Sequence, residues 1–122
     1  MTELPLIGLL RSPDIIREDV LRTFGDEEED AVQFAIRWAW DHRRVRDMSQ
    51  KRAAELCGMS ASHFSNVLSG EKYLPPQKIN VYEQITGNRA VSGTIERFRA
   101  IRELETVAGL SRVIAEQITK AA

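Results

Sequence analysis

Residues 50–70, QKRAAELCGMSASHFSNVLSG, decide how this chain folds. They spell two short helices joined by a tight turn. Ala53, Ala54 and Cys57 give the first helix a face of small apolar side chains. Gly58 ends that helix, because a helix C-terminus often needs positive φ and only glycine takes it at low cost. Met59 plugs the corner, and Ser60 is a good N-cap for the second helix. Phe64, Val67 and Leu68 recur at i, i+3 and i+4, so they face inward. Ser62, Ser65, Asn66 and Ser69 are left outward.

Small residues, a glycine turn, an apolar plug and a polar outer face form the pattern of a helix-turn-helix. Such a motif sets its second helix in the DNA major groove. The window resembles the helix-turn-helix of the lambda-repressor and Cro family of phage and bacterial regulators. The likeness extends upstream to Asp47-Met48-Ser49-Gln50. Downstream it runs through Ser69-Gly70-Glu71-Lys72-Tyr73-Leu74-Pro75-Pro76 to the closing Ile85-Thr86-Gly87-Asn88. The Leu-Ser-Gly ending, Leu-Pro-Pro restart and Thr-Gly-Asn close look most like small phage-encoded regulators. The resemblance covers residues 34–89. It implies an all-α fold, a lambda-repressor-like helix-turn-helix domain of about five helices with extra N-terminal and C-terminal helices. Residues 1–33 then form an N-terminal helical extension, and residues 90–122 a C-terminal helical segment for dimerisation.

Composition agrees with one domain of 122 residues, with a hydrophobic content of 43%. No run of apolar residues is long enough for a transmembrane helix. Leu4 to Leu10 is apolar but short, and no basic leader or small-residue cleavage site frames it, so it does not read as a signal peptide. A single cysteine excludes an internal disulfide and fits a reducing cytoplasm. Cys57 reads as a small core residue, not a nucleophile.

The net charge of −1 hides a gradient. Residues 1–40 carry 4 basic and 9 acidic groups, residues 41–89 carry 8 and 5, and residues 90–122 carry 5 and 4. The positive excess falls on the segment with the motif, as an electrostatic footprint on phosphate requires. The acidic run Asp26 to Asp30 is either a solvated helix start, where anions suit the helix dipole, or a surface for a protein partner engaging residues 1–33.

Elsewhere the chain reads as helix throughout. Ser12-Pro13-Asp14 looks like a helix start with proline at the first helical position, and Leu21 and Phe24 share its inner face with Ile16 and Val20 until Gly25. Asp26 and Glu29 resemble a capping box, opening a helix that runs to about Arg44. That helix is apolar over so wide an arc that it must be buried on more than one side, against the motif and against an N-terminal helix or a second subunit. Trp38 and Trp40 read as core. Pro75-Pro76 starts a helix to Thr86. Ser92 or Thr94 begins the last helix, with Gly109 as a break and Ser111 capping a final turn.

The resemblance implies dimeric, sequence-selective binding of double-stranded DNA by a transcriptional regulator of repressor type. The recognition helix is residues 61–68, and the expected DNA-facing residues on and beside it are Ser60, Ala61, Ser62, His63, Ser65, Asn66 and Ser69. Gln50 contacts a phosphate and braces the recognition helix, by analogy with the matching family position. Asn66 is the best base reader, since its amide can pair with both N6 and N7 of adenine. Ala61 suits a thymine methyl, and His63 either reaches a phosphate or caps the turn. Lys51, Lys72, Tyr73, Arg43 and Arg46 complete the expected contacts. Arg44, Arg52, Lys78 and Arg89 are further phosphate candidates, and surface solubility explains about half of all eight cations equally well. The recognition helix departs from the common pattern in carrying no Arg, Lys, Gln or Glu, so the strong arginine–guanine contact is missing.

Catalysis is not expected. His42 and His63 lie on different helices without a ligand partner at helical spacing, Glu27 to Glu29 are consecutive and do not converge, and no glycine-rich phosphate loop occurs. No cofactor, metal or membrane partner is implied. The other reading is a protein-interaction module on the same scaffold, such as an antitoxin or a phage accessory factor.

Overall fold

The computed structural model describes residues 11–121, so the apolar stretch Leu4 to Leu10 lies outside the described residues. Among the described residues six α-helices follow one another: α1 (Glu18–Arg22), α2 (Glu28–Asp41), α3 (Gln50–Cys57), α4 (Ala61–Ser69), α5 (Ile79–Thr86) and α6 (Ala90–Ala121). A 3₁₀ turn, Pro76–Lys78, leads into α5. The described residues form no strand beyond one bridge between Asp14 and Asn88.

That bridge corrects the first expectation. Ser12-Pro13-Asp14 does not start a helix; the chain stays non-helical until Glu18. Asp14 donates its amide to the Gly87 carbonyl at 2.8 Å and accepts from the Arg89 amide at 2.8 Å. Arg44 secures the same corner. Its guanidinium donates to the carbonyls of Ser12 at 2.8 Å and Gly87 at 3.0 Å, and pairs with Asp14 at 3.2 Å. Charge-assisted bonds of this kind outweigh the local preference of proline for a first helical turn.

The second helix also begins differently. Its N-cap is Glu27, with no side-chain capping bond, so the box expected from Asp26 and Glu29 does not form. Glu29 instead accepts from the Tyr73 hydroxyl, and Glu28 pairs with Arg102. The acidic run is thus partly engaged in holding α2 to its neighbours. The helix ends at Asp41, short of Arg44. The guanidinium of Arg43 turns back to donate to the Trp40 and Arg46 carbonyls and lies 4.2 Å above the Trp40 ring.

Packing centres on α2. Ala31, Ala35 and Ala39 are fully buried at four-residue spacing, so neighbouring backbones can approach closely. One side of α2 meets α4 and α5, and the other meets α6, which supplies the second cover that the sequence pattern demands. The N-terminal helix α1 packs on α6 instead. Residues 33 and 34, where a boundary was expected, both lie inside α2. Leu21, Phe24, Ala90, Val91 and Phe98 share one core with the motif residues.

The last helix starts at Ala90 and does not break at Gly109. Its first turn is held from outside the helix. Asn88 Oδ1 accepts from the Ala90 amide at 3.2 Å. Glu83 accepts from the Ser92 amide at 2.8 Å and the Ser92 hydroxyl at 2.9 Å. Burial pushes the Glu83 carboxyl above its ordinary range, and the two bonds from Ser92 work against that shift. Ser92 is therefore a partner of the cap and not the cap itself. No helix among the described residues is long and apolar enough to cross a membrane.

Candidate nucleic-acid interface

The two short helices at 50–69 are built by their caps. Ser49 Oγ accepts from the Arg52 amide at 3.0 Å, and α3 closes at Gly58 with φ +71°. Ser60 Oγ accepts from the His63 amide at 3.0 Å, and α4 closes at Gly70. Each such serine cap stabilises its helix by about 1 kcal/mol.

Helix α4 is held by one face only. Phe64, Val67 and Leu68 are buried, as are Ala53, Ala54 and Cys57 of α3. The Phe64 ring meets Trp40 edge-on at 5.4 Å and lies 6.0 Å from Tyr82. Tyr82 is fully buried and donates its hydroxyl to the Ile36 carbonyl at 2.6 Å. Burial raises the Tyr82 phenol and also pushes the Cys57 thiol up to about 11. A thiol so placed stays protonated at neutral pH, in keeping with a packing role.

The other face of α4 is open. Ala61, Ser62, Ser65 and Ser69 are exposed, and His63 and Asn66 are half-buried. The Asn66 carbonyl accepts from the amides of Glu71 and Lys72 and from the Ser69 hydroxyl, which closes the helix end. Those bonds engage the Asn66 backbone and leave its amide side chain at the rim of the open face. Ser60 and Ser69 spend their hydroxyls on local bonds. Ser62, Ser65 and Asn66 remain the polar groups best placed to meet a ligand from outside.

The surrounding cations sort into two groups. Arg43, Arg44 and Arg89 are committed inside the fold: Arg43 and Arg44 as described above, and Arg89 to Glu96 at 3.1 Å and to Glu83 at 3.9 Å. Arg46 donates to the Asp41 carbonyl at 3.1 Å while staying exposed, and Arg52 pairs with Glu55 on the surface of α3. Gln50, Lys51 and Lys72 are exposed. Lys78 sits over the end of α3, its Nζ 3.1 Å from where a Cβ at Gly58 would lie. A cation there complements the carbonyl end of the helix. Tyr73 is exposed, but its hydroxyl is bonded to Glu29, and that bond raises its pKa.

The structure thus places Gln50, Lys51, Ser62, Ser65, Asn66 and Lys72 on α3, α4 and the turn after them. It diverts Arg43 and the Tyr73 hydroxyl to internal tasks. The sequence gives no signal for that diversion, because Arg43 and Arg46 look alike in a basic stretch. Their carbonyl partners are set by how the chain leaves α2. His42, for its part, stacks on Trp38 at 3.9 Å and bonds to the Trp38 carbonyl.

No family model, curated protein or solved structure matches this chain.

Proposed function

We propose that this chain is a helix-turn-helix regulator that binds double-stranded DNA selectively, as a homodimer. The supporting observation is α4 itself. It is anchored by three buried residues and turns an uncharged, hydrogen-bonding face to solvent, and exposed lysines stand on the helix before it (Lys51) and in the turn after it (Lys72). The motif's resemblance to the lambda-repressor and Cro family supports the same reading. A regulator of this class works in the cytoplasm, where its DNA is.

In this reading α4 enters the major groove, with Asn66 bidentate to an adenine and Ser62 and Ser65 on neighbouring base edges or phosphates. Lys51, Lys72 and Gln50 fix the register on the backbone without reading sequence. One bidentate contact supplies about 1–3 kcal/mol of discrimination, so a dimer with two reaches roughly 2–6 kcal/mol. Typical regulators prefer their sites by about 4–10 kcal/mol. Dimerisation is therefore a requirement of the mechanism. DNA shape supplies whatever selectivity the contacts leave short.

The test compares two variants on a preferred duplex and a scrambled one. Asn66→Ala costs about 1–3 kcal/mol on the preferred duplex and flattens the preference at one base position. Lys72→Ala weakens both duplexes alike and lowers the salt slope by about one unit. Equal losses on both duplexes for Asn66→Ala would remove it as the base reader.

A further inference from the structure

We infer that Arg43 is a positioning residue of the proposed DNA-binding site: it locks the loop between α2 and α3 in register with α4, and so sets where Gln50 stands. Its effect on DNA rests on the function proposed above; the lock itself rests on the geometry of the loop alone. By sequence Arg43 reads as a phosphate contact, but the structure gives its charge other partners. One Nη donates to the Trp40 carbonyl at 3.0 Å and the other to the Arg46 carbonyl at 2.9 Å, while Cζ lies 4.2 Å from the centre of the Trp40 ring. The side chain is half-buried, and its Nε is buried without a hydrogen-bond partner. An arginine carried only for its charge keeps that N–H in water.

This seat fixes two things. The first is the loop. Met48 donates its amide to the Val45 carbonyl at 3.1 Å, so Val45 to Met48 form a turn whose central peptide joins Arg46 to Asp47. The direction of that peptide is the open choice in such a turn, and flipping it sends Asp47 to positive φ. Among the described residues only glycines have positive φ, so the unflipped form stands, and the bond from Arg43 to the Arg46 carbonyl holds it there. Arg46 adds a second tie by donating to the Asp41 carbonyl at 3.1 Å. Beyond the turn Met48 is buried, Ser49 caps α3 and Gln50 is the first residue of that helix. A peptide pinned at Arg46 therefore fixes where α3 begins.

The second is the relation of that loop to α4. Trp40 is buried, and its ring meets Phe64, an anchor of α4, at 5.4 Å between centroids. One tryptophan ring thus carries α4 through Phe64 and the loop through Arg43. Lysine cannot fill the same seat, because a point charge on a flexible stem does not reproduce a planar fork that is bonded and stacked at once.

Lysine therefore separates position from charge in the test. A cation needed only for phosphate is rescued by lysine, which also binds phosphate. On the preferred duplex Arg43→Lys and Arg43→Ala are both expected to bind about fivefold more weakly than the wild type, the worth of one displaced hydrogen bond at Gln50, with the salt slope unchanged. In a Gln50→Ala background Arg43→Lys should add no further loss. Two measurements need no DNA. Trp38→Phe leaves Trp40 as the only tryptophan of the chain; in that background Arg43→Lys should weaken the near-ultraviolet circular dichroism band, and hydrogen exchange of amides 46–50 should quicken, while the far-ultraviolet spectrum stays unchanged. Wild-type binding by Arg43→Lys, together with a salt slope lowered by about one unit in Arg43→Ala, would make Arg43 a phosphate contact and overturn the inference. An unchanged tryptophan band with unchanged exchange would overturn it equally. A wild type that retains no duplex, while band and exchange respond as expected, contradicts the proposed function and supports the lock.

Discussion

Phe64→Ala is expected to lower the free energy of unfolding by about 3–5 kcal/mol. Phe64 is buried between Trp40 of α2 and Tyr82 of α5, with ring centroids at 5.4 and 6.0 Å. Truncation removes both ring contacts and leaves a cavity that two rigid neighbours cannot collapse to fill. A domain of this size has only about 5–15 kcal/mol in hand, so the variant stands close to unfolding. Phe64 is also the largest of the three anchors of α4, so the surface proposed to face DNA should loosen along with the core. Urea unfolding followed by circular dichroism measures the effect as a lower midpoint at unchanged slope. A midpoint within error of the wild type would mean that α4 is not seated as described.

Gly87→Ala should cost nearly as much, by a different route. Gly87 ends α5 with φ +79°, a conformation that L side chains resist by about 1–2 kcal/mol. An added Cβ would lie 2.7 Å from Arg44 Cβ and 2.9 Å from Arg44 Nε. Arg44 must then leave its corner, giving up charge-assisted bonds to Ser12 and Gly87 worth about 1.5–3 kcal/mol each. The combined loss is expected at about 3–4 kcal/mol after partial relaxation. Arg44→Ala alone removes the bonds without the strain. The double variant should therefore be more stable than the sum of the two single losses predicts, by at least about 1 kcal/mol. Strict additivity in the same unfolding assay would show that the two residues do not act on one corner.

The parts of this fold that were legible in the sequence are those written by neighbours in the chain. Gly58, Ser60 and the Phe64, Val67, Leu68 triplet depend on spacings of a few residues, and each stands where its spacing requires. The apolar arc of α2 correctly demanded two covers, but not that the second would be α6. Two of the failures share one cause. Arg44 meets Gly87 across 43 residues of sequence, and Glu83 meets Ser92 across a helix boundary. These long-range bonds override the local preference of Pro13 for a helix start and hide the true beginning of α6. Gly109 is tolerated in mid-helix because it lies on an open stretch with nothing packed against it. Within the candidate interface, exposure of Ser62 and Ser65 follows from periodicity alone. The commitment of Arg43 and Tyr73 to Trp40 and Glu29 follows only from tertiary geometry.

Selection of bound sequences from a random duplex pool bears most directly on whether α4 reads DNA. The full chain, incubated with the pool at low salt and carried through repeated rounds, should converge on a two-fold symmetric site. Each half should hold an invariant adenine opposite Asn66, at one fixed half-site spacing. Retention of duplex with no sequence enriched over the starting pool would contradict selective recognition by α4, and failure to retain any duplex would contradict DNA binding altogether.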